Sequence, residues 1–133
     1  MKIIQILLLC LVIITIAPNY SMTLSSEGYL SPCIIESNCY LAEWEINDVD
    51  KAFNHLIEIS SNLPRTTLLE RKENYWHGLV RSFIFRFPDD LEILKIKSKS
   101  IIQIRSASRF GIGDLGVNKS RVEQLYKSLE QLN

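Results

Sequence analysis

Residues 67–107 form the stretch TLLERKENYWHGLVRSFIFRFPDDLEILKIKSKSIIQIRSA, which decides the fold. Apolar residues alternate with polar ones through most of it, and a period of two is typical of β-strands. The pattern predicts four strands, at residues 67–73, 75–87, 91–97 and 101–107. Short connections join them, and these favour antiparallel neighbours because parallel pairing needs a long crossover. The sequence therefore predicts a four-stranded antiparallel meander.

Helical patterns flank this stretch on both sides. Asn47 or Asp48 can cap a helix, because a short side-chain oxygen satisfies an N–H group of the first turn. Apolar residues follow at helical spacing as far as Pro64, which ends the run. Asn118 is expected to cap a second helix, whose apolar residues continue to Leu132. We predict a two-layer α+β fold with an N-terminal and a C-terminal helix packed on one face of the sheet.

The N-terminus has the pattern of an export signal. Lys2 is followed by an almost unbroken apolar run over residues 3–17, which is shorter than the ~20 apolar residues of a typical spanning helix. A secretory signal peptide is predicted for residues 1–22, with a retained N-terminal membrane anchor as the alternative. Residues 23–32 are predicted to be a linker and residues 33–133 a single α+β domain.

Export changes the interpretation of Cys33 and Cys39, because oxidising compartments permit disulfides. A local disulfide between them is predicted, and free thiols or a metal site are the alternatives. Structural zinc sites use four ligands, and no His or third Cys lies near this pair in the sequence. We therefore expect no metal and no cofactor.

Charge composition bears on the class of partner. The chain carries 15 basic and 15 acidic residues, so its formal net charge is zero. Nucleic-acid-binding domains are usually basic, with Lys and Arg clustered on one face. A nucleic-acid partner is not expected.

Residues 105–121, RSASRFGIGDLGVNKSR, resemble the signature of the domain-of-unknown-function family 1499. Further landmarks appear in the family's order at Cys33 and Cys39, at Tyr75-Trp-His77 and at FPDDLE, residues 87–92. These landmarks are separated along the chain and agree with one another, and the resemblance covers nearly the whole domain.

The resemblance implies an exported or organelle-lumen protein, in the periplasm or the thylakoid lumen, with no established activity. It transfers no catalytic residue to this chain. The family's cysteine loop usually carries Pro and Asp after the first Cys, where this chain has Ile34 and Ile35. That departure leaves the conformation of the loop open, though not the pairing.

A cluster of Arg and Gly residues marks the candidate binding site. Arg105 and Arg109 are expected to point to the same face of the last strand, ~13 Å apart if it is extended. A glycine-rich loop and a helix N-terminus follow, and exposed N–H groups there attract anions. The alternative is a structural salt-bridge network among Arg105, Arg109, Asp89, Asp90 and Asp114. The candidate ligand-binding residues are Arg65, His77, Arg105, Arg109, Asp114, Asn118 and Arg121.

Three classes of function remain open. The leading prediction is a non-catalytic exported module that binds an anionic or amphipathic small ligand or assists assembly of membrane complexes, with a membrane protein as a possible partner. The first alternative is a small hydrolase or isomerase that uses His77 with Asp89 or Asp90 as acid or base. The second is a structural protein-interaction domain, which predicts an exposed apolar patch. Membrane contact is expected only through an uncleaved N-terminal segment.

Overall fold

The computed structural model describes residues 28–111 and 113–132. The predicted signal segment, residues 1–22, and the first part of the predicted linker lie outside these residues. The described chain contains five strands and two α-helices. In chain order they are β1 (Cys39–Glu45), α1 (Val49–Asn62), β2 (Thr66–Arg71), β3 (Tyr75–Arg81), β4 (Pro88–Ile96), β5 (Ile101–Ser108) and α2 (Val117–Leu129).

All five strands form one antiparallel sheet with the order β1-β5-β4-β3-β2. The predicted meander is present as β2 to β5, but the predicted number of four strands is wrong. β1 adds a fifth strand at the edge next to β5, where Cys39 lies opposite Ala107 and Glu45 opposite Ile101. This strand was missed because its partner lies some 60 residues further along the chain, and local pattern carries no information about such a pairing.

Both helices pack on one face of the sheet, as predicted. Their apolar stripes and the inward residues of the strands form the main core, in which Leu56, Trp76, Leu91, Ile104 and Val122 are almost completely buried. Alternation along each strand sends every second side chain to this face. We call it the helix face and the opposite one the open face.

The two helices begin in different ways. Asp48 caps α1 as predicted, because its Oδ1 accepts the backbone N–H of Lys51 at 3.0 Å. The predicted cap of α2 at Asn118 is wrong. Gly116 occupies the cap position with a left-handed φ of 79°, and Asn118 lies inside the first turn, fully buried. The carboxylate of Asp114 accepts the N–H groups of Gly116 and Asn118 instead.

The third strand is shorter than the alternating pattern predicted. β3 ends at Arg81, and the loop that follows is closed by two bonds: Ser82 N–H donates to the carbonyl of Phe87 at 3.0 Å, and Phe87 N–H donates to Ser82 Oγ at 2.9 Å. Phe83, Phe85 and Phe87 are therefore exposed in a loop and do not continue the strand face. The pattern failed here because alternation alone does not make a strand. A strand also needs a neighbouring strand to pair with, and residues 82–87 have none in the described sheet.

The N-terminal described residues run over the open face. Leu30 is buried against Tyr75 and Leu94, and its backbone N–H donates to Oε1 of Gln103 at 2.9 Å. A disulfide joins Cys33 to Cys39 at a Cα–Cα distance of 5.5 Å, as the sequence predicted. This segment is thus fastened to the sheet by an apolar contact, a hydrogen bond and a covalent bond.

Candidate functional site

Strand register collects charged side chains on the open face of the sheet. Asp90 and Glu92 lie two residues apart on β4, the strand between β3 and β5, and both point to this face. Glu92 lies opposite His77 on one side and Arg105 on the other. Charged groups are rarely buried unless they are paired, so their partners define the site.

Glu92 is held by two donors. The hydroxyl of Tyr75 donates to Oε1 at 2.7 Å, and Nη1 of Arg105 donates to Oε2 at 2.9 Å. All three side chains are buried. Burial, reinforced by the adjacent Glu92 carboxylate, raises the pKa of the Tyr75 phenol well above its ordinary value. Tyr75 therefore stays a hydrogen-bond donor throughout the physiological pH range.

Asp90 is held by three contacts. Nε2 of His77 lies 2.7 Å from Oδ1, while Arg109 binds in a bidentate manner, from Nη2 to Oδ1 and from Nε to Oδ2, both at 2.8 Å. Burial alone would raise the pKa of the Asp90 carboxyl. The contacts with His77 and Arg109 more than offset burial and hold the pKa of Asp90 below its ordinary value. Asp90 is therefore an anion at neutral pH.

These contacts leave an excess of hydrogen-bond donors. Each oxygen of Asp90 and Glu92 already accepts a bond, whereas a guanidinium carries five N–H donors. Arg105 is 8% exposed, and its Nε–H has no hydrogen-bond partner among the described residues. Such a donor costs about 1–3 kcal/mol when it is buried without an acceptor.

A cavity of about 560 Å³ opens beside these arginines. Apolar and polar side chains both line it, and the polar ones are Asn38, Asp90, Arg105, Ser108 and Arg109. The apolar lining includes Ile34, Ile35, Ala107 and Phe110. The volume lies within the 300–1,000 Å³ range of small-molecule sites.

A separate polar cluster lies on the helix face. Arg121 binds Asp89 at 2.9 Å and also donates to Ser106 Oγ and to Oδ1 of Asn118. The Asn118 amide in turn donates to the backbone carbonyl of Asn38 at 3.1 Å. Neighbouring residues on a strand point to opposite faces, so Asp89 serves this cluster and Asp90 serves the open face.

The candidate residues predicted from the sequence are therefore divided. His77, Arg105 and Arg109 meet on the open face, while Asp114, Asn118 and Arg121 brace the start of α2. Arg65 joins neither group, because its Nε donates to the carbonyl of Arg81 at 3.0 Å and its guanidinium lies over the ring of Phe83. Of the candidate arginines, Arg105 and Arg109 line the 560 Å³ cavity, and Arg65 and Arg121 do not.

The alternative salt-bridge network is present in a modified form. Of its expected members, Arg109 pairs with Asp90, whereas Arg105 pairs with Glu92 and Asp89 pairs with Arg121. Sequence reasoning missed Glu92 as a site residue. The sequence could have indicated Glu92, because a residue two positions after Asp90 on the same strand points to the same face as Asp90.

A larger concavity, of about 710 Å³, lies between β1 and α2. It is lined by Tyr40, Trp44 and Tyr126 among others, and none of its described lining residues has a buried polar atom without a partner.

Within residues 28–111 and 113–132, no group of three or more His, Cys, Asp or Glu side chains could hold a metal ion. In the same part of the chain, no helix is long and apolar enough to cross a membrane.

Fold and site together define a class: a small two-layer α+β domain with a buried network of ion pairs on the open face of its sheet. A comparison with family models identifies the family. The model described as "Protein of unknown function (DUF1499)" matches residues 15–129, and the chain belongs to that family. No curated protein matches the chain.

Proposed function

We propose that this protein is an exported, non-catalytic module that binds a small amphipathic anion in the 560 Å³ cavity of its open face. The observation that carries the proposal is the buried Nε–H of Arg105, a charged donor without a partner among the described residues. Arg105 lines the cavity, and a carboxylate or phosphate headgroup that reached this atom would supply the missing acceptor with a charge-assisted bond.

Arg109 supports the same headgroup. Its Nε and Nη2 atoms bond Asp90, its side chain is 41% exposed, and none of the described hydrogen bonds to Asp90 uses Nη1. Arg109 also lines the cavity, so Nη1 is a second donor for the headgroup. The one carboxylate among the described residues that line the cavity, Asp90, already accepts bonds on both oxygens, from His77 and from Arg109. That balance selects a ligand rich in acceptor atoms.

The apolar wall supports the other half of the ligand. Ile34 and Phe110 are largely exposed, and Ala107 provides a small buried floor beside Arg105. An aliphatic chain would cover these surfaces and gain about 25 cal/mol for each Å² of apolar area removed from water. A ligand with an anionic head and an apolar tail fits both walls.

Two features support an exported location, in the periplasm or the thylakoid lumen. The apolar run at residues 3–17 has the pattern of a signal peptide or anchor. The disulfide between Cys33 and Cys39 suits an oxidising compartment. A role in assembly of membrane complexes is compatible with this location and would use the same ligand site for a lipid or a partner's acidic group.

The hydrolase or isomerase alternative is less well supported. His77 lies within hydrogen-bond reach of Asp90, as that alternative requires, but Asp89 lies on the opposite face. His77 does not line the cavity, and the negative charge of Asp90 is already paired with the Arg109 guanidinium. A general base needs access to the substrate proton, so binding is the better use of this geometry.

The test is thermal unfolding of the protein with octanoate, with octanol as an uncharged match and with inorganic phosphate as a headgroup without a tail. A ligand at 100 times its Kd stabilises the folded state by about 2.7 kcal/mol. We expect the largest shift with octanoate. Arg105→Lys keeps a positive charge near Glu92 but removes the Nε–H, and it should weaken octanoate binding about 10- to 100-fold.

Arg121→Lys is the matched control, because it alters an equally close ion pair on the other face of the sheet, and Arg121 does not line the cavity. It should leave the octanoate shift unchanged. Equal shifts for wild type, Arg105→Lys and Arg121→Lys would show that the cavity arginine does not bind the anion. A larger shift with octanol than with octanoate would contradict an anionic headgroup.

A further inference from the structure

A loop rich in aromatic residues projects from one end of the sheet. We call residues 82–87 the aromatic loop; within it Phe83, Ile84 and Phe85 are 75, 74 and 72% exposed. The rings of Phe85 and Phe87 stack at a centroid distance of 5.5 Å. Soluble monomers rarely expose large contiguous apolar patches, and those that occur mark interaction surfaces.

Other exposed apolar residues lie at the same end of the sheet. β3 and β5 end here and β1 and β4 begin here, so the connections at this end come together. Arg109 N–H bonds the carbonyl of Pro88, which ties the loop after β5 to the end of the aromatic loop. Ile34 and Phe110 are exposed beside the cavity mouth.

Leu115 belongs to the same set and is held in a costly conformation. Its φ is 54°, in the left-handed region, and its side chain is fully exposed. A bulky residue with positive φ costs about 1–3 kcal/mol, and an exposed leucine gains nothing from the core in return. The fold thus presents this apolar side chain to its surroundings at an energetic cost.

Basic side chains surround the aromatic loop. Arg65, Arg81 and Arg86 lie beside or within it, and none of them forms an ion pair with a described residue. The guanidinium of Arg65 lies 5.2 Å from the ring centre of Phe83. The two carboxylates that follow the loop, Asp89 and Asp90, are buried in pairs of their own. The whole chain has a formal net charge of zero, so three arginines without an ion pair make the surroundings of this loop more positive than the chain as a whole.

We infer that the aromatic loop inserts into the surface of a membrane that contains anionic lipids. Apolar side chains at the tip would enter the acyl boundary, while the three arginines would reach the headgroups beside them. The most exposed residues of the aromatic loop, Phe83, Ile84 and Phe85, line neither the 560 Å³ cavity nor the 710 Å³ concavity. An apolar tip outside these concave sites suits a fluid bilayer better than the fitted pocket of a protein partner. This contact is additional to any contact made by the N-terminal segment.

The test uses a local fluorescent probe in the full-length protein, reconstituted into vesicles. Phe85→Trp places the probe in the loop, and Leu68→Trp places it at an exposed position on the edge strand β2 as the matched control. The wild-type signal of Trp44 and Trp76 is subtracted. No tryptophan lies in residues 1–27, so the N-terminal segment adds no signal. The vesicles contain phosphatidylcholine alone or with phosphatidylglycerol, and one set carries bromine on the acyl chains as a quencher.

We expect brominated acyl chains to quench the probe in Phe85→Trp in anionic vesicles, and to leave the probe in Leu68→Trp unquenched. Adding Arg86→Ser should lower the ratio of inserted to free loop about fivefold, since each basic residue near an anionic surface contributes about that factor. Arg71→Ser, an exposed arginine at the other end of β2, should have no such effect.

Equal quenching at the two probe positions, or none in Phe85→Trp, would overturn the inference. A blue shift of the probe in Phe85→Trp without bromine quenching would also overturn it, because it would place the loop against protein and not lipid. The octanoate assay does not depend on this loop, so failure here leaves the proposed ligand site standing.

Discussion

Substitution of Glu92 by glutamine tests whether the open-face network is held together by charge. Glu92→Gln keeps the shape of the side chain and an oxygen for the Tyr75 hydroxyl, which donates to Oε1 at 2.7 Å. It removes the negative charge that faces Arg105, whose side chain is 10% exposed. Removing one partner of a buried ion pair costs about 3–5 kcal/mol, because the other charge is left buried and uncompensated.

Urea unfolding at neutral pH, with the disulfide intact, measures this loss. A loss of about 3 kcal/mol lowers the urea midpoint by roughly 1–3 M for a slope typical of small proteins. The double variant Glu92→Gln/Arg105→Gln removes both charges. It should be more stable than Glu92→Gln alone, because no unpaired charge remains in the site.

A double-mutant cycle of the two single variants and the double variant measures the coupling energy between Glu92 and Arg105. Residues in contact within one ion-pair network couple by 0.5–3 kcal/mol, whereas independent positions add. If the losses of Glu92→Gln and Arg105→Gln simply add in the double variant, charge pairing does not hold the network together. The contact at 2.9 Å would then have no energetic role of its own.

Two further outcomes follow from the structure. Because the pKa of Asp90 is held below its ordinary value, its carboxylate contributes stability above about pH 3.9 and loses that contribution as the pH falls through the lower folded-state value. The stability of wild type should therefore approach that of Asp90→Asn on acidification, and a gap that stays constant in urea titrations would contradict the assignment. Gly78→Ala places a Cβ 2.3 Å from the buried Trp76 indole and should cost about 1–3 kcal/mol in urea unfolding, whereas Gly113→Ala, with no contact closer than 3.9 Å, should be nearly neutral.

Elements of the fold that are defined by local sequence signals could be predicted, whereas those defined by contacts between distant residues could not. Helix α1 and the meander could be predicted because capping by Asp48, the stop at Pro64 and period-two alternation are local signals. β1 could not, since it is defined by pairing with β5. The aromatic loop was predicted as part of a strand because alternation of Phe and polar residues continues through it. Such alternation does not show where the chain turns into the next strand.

The site was predictable to the same extent. Strand alternation predicted that Arg105 and Arg109 share a face, and both pair with carboxylates of the open face, although Arg109 lies one residue beyond β5. Alternation also implies that Asp89 and Asp90 must lie on opposite faces. What it does not contain is the register between strands. That register makes Glu92 the partner of Arg105, and with it the free Nε–H from which the ligand proposal is argued.

The two proposals meet at one end of the molecule, yet they rest on different side chains. Ligand binding in the cavity is argued from Arg105, which would bind the anionic headgroup. Membrane insertion of the aromatic loop is argued from Phe83, Phe85 and three arginines that form no ion pair with a described residue. If both hold, the mouth of the cavity lies beside the bilayer surface, and an amphipathic anion could pass between lipid and protein with its tail never fully exposed to water. Loop-dependent uptake would then appear as octanoate-type binding that is faster from anionic vesicles than from solution, and that difference should disappear in Phe83→Ser/Phe85→Ser while the equilibrium affinity for octanoate stays the same.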